Sequence, residues 1–350
     1  MTPISFYPGP STVYAETPRW VQEAYDCGIL AANHRSNAFM DLSKDTKQVL
    51  RDRLLIPVDY EILFISSATE GWEVLTQSLT REVSQHFYNG AFGQKWASVA
   101  ENLGADIRKV PFEIGHSLPA HKIDPKAEWL CVTACETSNG TMIDETLLAA
   151  LAQQREDHQL IAVDATSALG GIFLDFQLAD YWFGSCQKCL GLPAGLGLLI
   201  VSPRAMAYAE SLGERAHYNS FLTMLKHARH EQTHYTPNVL NIYLLWSAQQ
   251  AAASITLVEQ KLRQRMTILS SLIYNKEELH WLVDDEFLRS QTVATIKAPN
   301  VSKMKAYACA NGILVGNGYG EWKESTFRIA NFPAIADVQF DLLCEVIKGS

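Results

Sequence analysis

The sequence has no cluster of lysine and arginine residues. Its 29 basic residues are scattered and outnumbered by 38 acidic ones, so the net charge is -9. Proteins that bind nucleic acid neutralise its phosphates with a basic patch, so we expect no binding to DNA or RNA. The sequence also lacks an apolar run long enough to cross a bilayer and an N-terminal basic segment followed by an apolar stretch. These absences predict a cytoplasmic protein that does not bind membranes.

Cysteine is sparse and odd in number, with seven residues in 350. This count predicts a reducing compartment rather than a disulfide framework. Cys186 and Cys189 form a C-x-x-C motif around Lys188, and Cys131 and Cys135 lie near a predicted strand end, so a zinc or redox site is one interpretation. No His-x-His or second C-x-x-C completes a ligand set. We therefore expect no metal, and we interpret these cysteines as small apolar residues on buried strands.

The pattern of apolar residues predicts an α/β protein. With 47% hydrophobic and 19% charged residues, the chain is long enough for a full core and one large and one small domain. Between about residues 59 and 204, apolar runs alternate with helical patterns, as in a mostly parallel sheet between helices. The predicted strands are 62–65, 83–88, 130–133, 160–163, 181–183 and 197–201. The predicted helices are 69–79, 145–153 after an N-cap at Asp144, a long stretch over 238–278, and 337–348.

We place a domain boundary inside the long helical stretch. The large domain is then 15–250, and a smaller α+β domain comprises 1–14 and 251–350. A cleft between them would bind ligand.

Lys188 and Asp164 suggest pyridoxal phosphate chemistry. Asp164 ends the apolar strand 160–163, and Lys188 follows it by 24 positions. A lysine amine can hold the aldehyde of this cofactor as a Schiff base, and a carboxylate one strand away can keep its pyridine nitrogen protonated. The alternatives are a solvated loop lysine and a carboxylate that caps a helix at 165–166.

Three other segments follow predicted strands, at the edge of the sheet where ligands bind in α/β proteins. Segment 66–71 offers Thr69 and free backbone N–H groups to a phosphate, or is an ordinary N-capped helix. Phe92, between glycines, either stacks on a planar ring or belongs to the core. Thr137 either donates to a phenolate oxygen or lies in a polar turn.

The order of these segments resembles that of class V aminotransferases, the fold-type I pyridoxal-phosphate enzymes. The resemblance covers nearly the whole chain. It rests on segments 7–10 (YPGP), 33–36 (NHRS), 67–69 (SAT), 135–140 (CETSNG), 163–171 (VDATSALGG), 185–188 (SCQK) and 327–329 (FRI). It implies the fold-type I architecture, pyridoxal 5'-phosphate as cofactor and a homodimer.

The same resemblance implies a role for each site residue. Lys188 is the Schiff-base lysine and the carrier of the substrate proton, and Asp164 is the partner of the pyridinium. The remaining cofactor-binding residues are Phe92 on the ring, Thr137 and Gln187 at the 3-hydroxyl oxygen, and Ala68, Thr69 and Ser185 at the phosphate.

Other residues are expected to bind substrate or the second subunit. Tyr235 and Thr236 would complete the phosphate site of the partner, although Thr236 also fits a helix N-cap. Arg328 would grip the substrate α-carboxylate, the alternative being a surface salt bridge. His34 and Arg35 would hold an anionic side chain such as a phosphate or carboxylate.

Within the family, the chain is most similar to the phosphoserine branch, which uses glutamate and 2-oxoglutarate as its other substrate pair. It departs from the best-known part of that branch in segment 318–324, which lacks a second His-Arg pair. Glu321 would repel a phosphate and Lys323 would compensate. The alanine-glyoxylate and serine-glyoxylate branch is therefore the alternative. A cysteine desulfurase-like lyase is less favoured, because its candidate Cys309 lies in a helical pattern. A non-catalytic binding protein is disfavoured by the presence of Lys188.

Overall fold

The computed structural model describes residues 3–349. Its strands are β1 Ile4–Phe6, β2 Glu61–Ile65, β3 Val83–Tyr88, β4 Asp106–Pro111, β5 Ala127–Thr133, β6 Cys135–Glu136, β7 Thr141–Met142, β8 Leu160–Asp164, β9 Tyr181–Ser185, β10 Gly197–Val201, β11 His280–Trp281, β12 Val293–Lys297, β13 Ile313–Asn317 and β14 Thr326–Ala330. Its helices are α1 Thr17–Asp26, α2 Asn37–Leu54, α3 Ala68–Leu79, α4 Ala91–Asn102, α5 Glu145–Gln154, α6 Pro203–Leu212, α7 Phe221–Ala228, α8 Val239–Ala251, α9 Ile255–Tyr274, α10 Val301–Ala310 and α11 Asp337–Gly349. None of these helices is both long and apolar enough to cross a membrane.

A seven-stranded sheet forms the centre of the molecule, in the order β2-β10-β9-β8-β5-β3-β4. Only β10 runs antiparallel to its neighbours. The carboxyl ends of the other six strands therefore meet at one edge. Alternate residues pack into layers on opposite faces, with Ile62 and Phe64 in one layer and Leu63 and Ile65 in the other. Burial on both faces explains why these strands are continuous apolar runs.

A second sheet has the order β1-β13-β14-β12-β11. Its N-terminal strand β1 pairs in parallel with β13, with Ile4 opposite Ile313. The strands β12, β13 and β14 pair antiparallel. This arrangement brings the beginning of the chain and its last third to the same place, beside the large sheet.

The fold class and most predicted elements are confirmed. All six predicted strands and the helices at 69–79, 145–153 and 337–348 are present, and the Asp144 side chain accepts a hydrogen bond from Leu147 N as the predicted N-cap. The strand β4, which has no buried residue, was not predicted.

Two predictions about the region after Pro237 are wrong. Thr236 is not the helix N-cap, because Asn238 takes that position and α8 begins at Val239. The stretch 238–278 is two helices, since the backbone turns extended at Ala252 and α9 starts at Ile255.

Candidate active site

A cavity of about 250 Å³ lies at the carboxyl edge of the large sheet, between that sheet and the second one. Its lining residues are Pro8, Gly9, Pro10, Ala68, Thr69, Trp72, Phe92, Thr133, Cys135, Thr137, Asp164, Thr166, Ser185, Gln187, Lys188, Tyr319 and Arg328. The predicted lysine, its carboxylate partner, the substrate arginine and every predicted cofactor residue except Thr236 are therefore brought together. They gather because most of them follow parallel strands that end at the same edge.

The Lys188 side chain is buried, with 7% of the residue exposed. Its Nζ donates to Thr137 Oγ1 at 2.8 Å and to Ser167 Oγ at 2.9 Å. Burial lowers the pKa of Lys188, and the charge of Asp164 opposes that effect. A lysine with a lowered pKa is neutral in a larger fraction of molecules, and the neutral amine is the form that attacks an aldehyde. The alternative of a solvated loop lysine is wrong.

Asp164 is also buried, at the end of β8, with 4% exposed. Its Oδ1 accepts from Thr166 N at 3.0 Å, and its Oδ2 accepts from Trp72 Nε1 at a longer 3.3 Å. Burial raises the pKa of Asp164, because two donors do not replace the hydration of a carboxylate. A cationic ring nitrogen in the cavity would supply the missing compensation.

Phe92 lies in the first turn of α4, and the centre of its ring is 5.2 Å from Lys188 Nζ. The side chain of Glu136, which is 2% exposed, holds this turn through hydrogen bonds. Its Oε2 accepts from Phe92 N at 3.2 Å and Gly93 N at 3.1 Å, and its Oε1 accepts from Ser138 N at 3.0 Å and Ser138 Oγ at 2.5 Å. The carboxylate therefore serves as the cap that the helix lacks at Gly90. The Phe92 ring is held as a wall of the cavity.

Ala68 and Thr69 form the first turn of α3 at another wall. The Ser67 side chain caps this helix by accepting from Glu70 N at 3.3 Å, and Ala68 N donates to Ser185 Oγ at 2.8 Å. The segment is therefore a capped helix, and its first residues, Ala68 and Thr69, line the cavity. Such a helix terminus favours an anion.

Arg328 points into the cavity from β14 and is 8% exposed, so the surface salt-bridge alternative is wrong. Its Nε donates to Asn317 O at 2.6 Å and its Nη1 to Thr137 O at 2.7 Å. Its guanidinium carbon lies 5.3 Å from the centre of the Tyr319 ring. Burial lowers the pKa of Arg328 to about 10, so the group stays charged at neutral pH. Both of these hydrogen bonds go to backbone carbonyls, and in residues 3–349 no carboxylate forms a salt bridge with it, which leaves the guanidinium available to a carboxylate.

The N-terminal segment covers the lysine. Gly9 has a left-handed backbone conformation (φ 143°), and a Cβ at this position would lie 2.8 Å from Lys188 Cε. Only glycine allows this close approach.

Four of the predicted binding residues lie outside the cavity. His34 is half-buried and Arg35 is exposed, and Arg35 Nη1 donates to Gln232 Oε1 at 2.9 Å. Thr236 is exposed. Tyr235 lies near Thr69 but lines a separate depression. These residues occupy the surface between the start of α2 and the start of α8.

The residues behind the substrate and lyase alternatives also lie outside the cavity. Glu321 and Lys323 are exposed, and Cys309 is exposed on α10. Cys135 does line the cavity, but burial raises the pKa of its thiol, which lies 2.8 Å from Ser290 Oγ. A thiol with a raised pKa is a poor nucleophile. In residues 3–349 there is no group of three or more metal-ligating side chains.

The sequence-based reasoning missed four residues of the site: Trp72, Glu136, Ser167 and Tyr319. Glu136 and Ser167 belong to the motifs 135–140 and 163–171 but were not singled out in them. Trp72 follows Ala68 by one helical turn, which is a usable signal once Ala68 is placed. Tyr319 lies in segment 318–324, where charge drew attention to Glu321 and Lys323 instead.

Comparisons with known proteins agree with this geometry. Residues 8–319 match the family model described as Aminotransferase class-V. The phosphoserine aminotransferase of Rhodococcus opacus is 29% identical over 93% of this chain and 89% of its own length. That of Corynebacterium glutamicum is 28% identical over 97% of this chain and 92% of its own length.

Solved structures give the same result. A phosphoserine aminotransferase from Cytophaga hutchinsonii superposes with a TM-score of 0.95 at 31% identity, covering 99% of both chains. An alanine-glyoxylate aminotransferase from Nostoc sp. superposes with a TM-score of 0.84 at 22% identity, covering 100% of this chain and 95% of its own, which shows a shared fold. The match to the family model and the near-complete superposition show that this chain belongs to the class V aminotransferases, a family of pyridoxal-phosphate-dependent enzymes.

Proposed function

We propose that the chain is a phosphoserine:2-oxoglutarate aminotransferase of serine biosynthesis. The observation that carries this proposal is the burial of Lys188 and Asp164 in one cavity, with Arg328 aimed into it. The full-length similarity to phosphoserine aminotransferases supports this substrate over others.

The residues present fit pyridoxal phosphate. Lys188 would carry the cofactor, the buried Asp164 would face its ring nitrogen, and Phe92 would stack on the ring. The backbone at Ala68 and Thr69, together with Ser185, would hold the phosphate. When bound, the cofactor supplies an electron sink for the bond-breaking at the substrate α-carbon.

Each protein group then has a defined task. Arg328 holds the α-carboxylate and so orients the α-carbon. Lys188, once free of the cofactor, takes the proton from that carbon and returns it at the cofactor. Asp164 keeps the ring nitrogen protonated, which requires a carboxylate that remains charged beside a cation.

The remaining residues are proposed to act across a homodimer. His34, Arg35 and Thr236 lie outside the cavity of their own subunit, on one region of its surface. We propose that Tyr235 and Thr236 complete the phosphate site of the partner and that His34 and Arg35 bind the substrate phosphate. We also propose the division into domains 15–250 and 1–14 with 251–350, which is supported by a cavity lined by residues of both parts. The seven free cysteines are in keeping with a cytoplasmic location.

One observation favours a second candidate, an alanine- or serine-glyoxylate aminotransferase. Tyr319, an aromatic residue, lines the cavity beside Arg328, where segment 318–324 lacks a second His-Arg pair. An aromatic wall suits a small uncharged side chain.

The deciding experiment follows the absorbance spectrum of the pyridoxal-phosphate-loaded enzyme after separate additions of O-phosphoserine, glutamate, alanine and serine. Conversion to the pyridoxamine form with phosphoserine and glutamate supports the proposed function. Conversion with alanine or serine but not phosphoserine would establish the second candidate instead. His34→Ala should weaken the binding of phosphoserine and leave the binding of glutamate unchanged, so glutamate serves as the internal control.

A further inference from the structure

Ser167 lies in the turn after β8 and is fully buried. Its Oγ is 2.9 Å from Lys188 Nζ and 2.6 Å from Thr137 Oγ1, which itself accepts from Lys188 Nζ at 2.8 Å. The two hydroxyls and the amine thus form a triangle. Thr137 belongs to the proposed cofactor site, whereas nothing so far gives Ser167 a task.

The triangle matters because the free amine of Lys188 must hold a proton inside a buried cavity. The ionisable groups around it are Asp164, Glu136, Cys135 and Cys189. None of them is a hydrogen-bond partner of Nζ in the described chain, where Nζ donates to the two hydroxyls. An ammonium without acceptors is costly to bury, so the hydroxyl oxygens stabilise its charged form in addition to the charge of Asp164.

The backbone of Ser167 is held in place by hydrogen bonds to its carbonyl oxygen. Thr292, directly before β12, donates from Oγ1 to Ser167 O at 2.6 Å, and Cys189 Sγ lies 3.3 Å from the same oxygen. Thr292 Oγ1 is also 3.1 Å from Ser290 Oγ. The turn therefore keeps its position independently of any ligand.

We infer that Ser167 is a positioning residue that, with Thr137, receives the Lys188 ammonium during the part of the cycle in which the lysine is not bonded to the cofactor. This inference rests on the proposed role of Lys188. In that interval the Nζ lone pair takes the proton of the substrate α-carbon, and the electrons of the broken C–H bond remain with the substrate. The two hydroxyls hold the resulting ammonium until it gives the proton up.

The test measures the titration of Lys188 in the apoprotein by competitive labelling with trace acetic anhydride, with peptide mass spectrometry at Lys188. Ser167→Ala removes one acceptor of the charged form, so the midpoint of labelling should move down by roughly one to two pH units. Ser167→Cys keeps the volume with a weaker acceptor and should give a smaller shift in the same direction. The control is Ser220→Ala, which deletes a fully buried hydroxyl that donates to Glu214 O at 2.9 Å, away from the site. Its midpoint should equal that of the wild type.

A wild-type midpoint in Ser167→Ala would overturn the inference. If that variant does not fold, a wild-type midpoint in Ser167→Cys overturns it equally. Borohydride reduction in the presence of pyridoxal phosphate, followed by peptide mapping, tests the underlying function separately. A label on another lysine would refute the role of Lys188, whereas a label on Lys188 with unshifted midpoints refutes only the role of Ser167.

Discussion

Replacing Glu136 with glutamine should destabilise the apoprotein and weaken its binding of pyridoxal phosphate. Both oxygens of the carboxylate accept from Phe92 N; Oε2 also accepts from Gly93 N, and Oε1 also accepts from Ser138 N and Oγ. In Glu136→Gln an NH2 group replaces one oxygen and faces donors whichever way the amide turns. At least one buried backbone N–H then loses its acceptor.

The expected decrease in the free energy of unfolding follows from these contacts. A hydrogen bond to a charged group contributes about 1.5–3 kcal/mol, and an anion at a helix N-terminus contributes about 0.3–1 kcal/mol. The Ser138 hydroxyl can rotate to accept from the amide, which recovers part of the loss. We expect the free energy of unfolding to fall by about 2–4 kcal/mol.

Urea unfolding of the apoprotein measures this loss, with all variants at one protein concentration because a dimer dissociates as it unfolds. The comparison variant is Ser138→Ala, which keeps the carboxylate and its contact with Phe92 N but removes one donor to Glu136 and the acceptor of Ala91 N, and should cost about 1–3 kcal/mol. Since the Phe92 ring would lose its fixed position, the Kd for pyridoxal phosphate should also rise by about tenfold in Glu136→Gln, equivalent to about 1.4 kcal/mol. A Glu136→Gln protein that unfolds at the wild-type urea midpoint would refute the assignment of Glu136 as the cap of α4.

Three further substitutions test the cavity itself. Asp164→Asn should lower kcat by a factor of about 100 or more with little change in KM, since a neutral amide does not keep the ring nitrogen protonated; a change confined to KM would contradict this. Arg328→Lys should lower kcat/KM about 10- to 100-fold for every substrate with an α-carboxylate, because an ammonium cannot reproduce the planar array of guanidinium donors. Steady-state kinetics with phosphoserine and 2-oxoglutarate measure this loss. A loss for only one of the two substrates would contradict the proposed role of Arg328. Gly9→Ala places a methyl group 2.8 Å from Lys188 Cε and should slow attachment of the cofactor, which absorbance measures. An unchanged rate would show that the N-terminal segment moves to make room for the methyl group.

Most strands of the central sheet were predictable because they are buried on both faces and are therefore mostly apolar. The same reasoning failed for β4, an edge strand with no buried residue, in which three of the six residues are polar. The break between α8 and α9 was missed for a different reason. Arg53, from α2, donates to the carbonyl of Ala253 and to the side chain of Gln249, so a distant residue satisfies the backbone where the helix stops.

In the candidate site, too, some residues were predictable from the local sequence and others depend on contacts with distant residues. Asp164 and Lys188 follow strands directly, so the rule for sheet edges was enough to place them together. Arg328 was predicted to bind substrate from the resemblance alone, because an arginine in an alternating strand ordinarily faces solvent, and its burial depends on the neighbouring strands of the second sheet. Ser167 and Glu136 act through contacts with residues 21 and 44 positions away, which no local pattern contains.

The pairing of β1 with β13 has a consequence for synthesis on the ribosome. Lys188 is translated 140 residues before Arg328, an interval of roughly 7–28 s at ordinary elongation rates. During that time the segment around Gly9 has no partner strand, because Ile4 pairs with Ile313. Closing so long a loop is entropically unfavourable and slow. Until the last strands emerge, the segment over the lysine therefore lacks its attachment to the second sheet, whereas its hydrogen bonds from Ser11 N to Gln187 O at 3.3 Å and from Tyr14 N to Gly191 O at 3.1 Å do not depend on those strands.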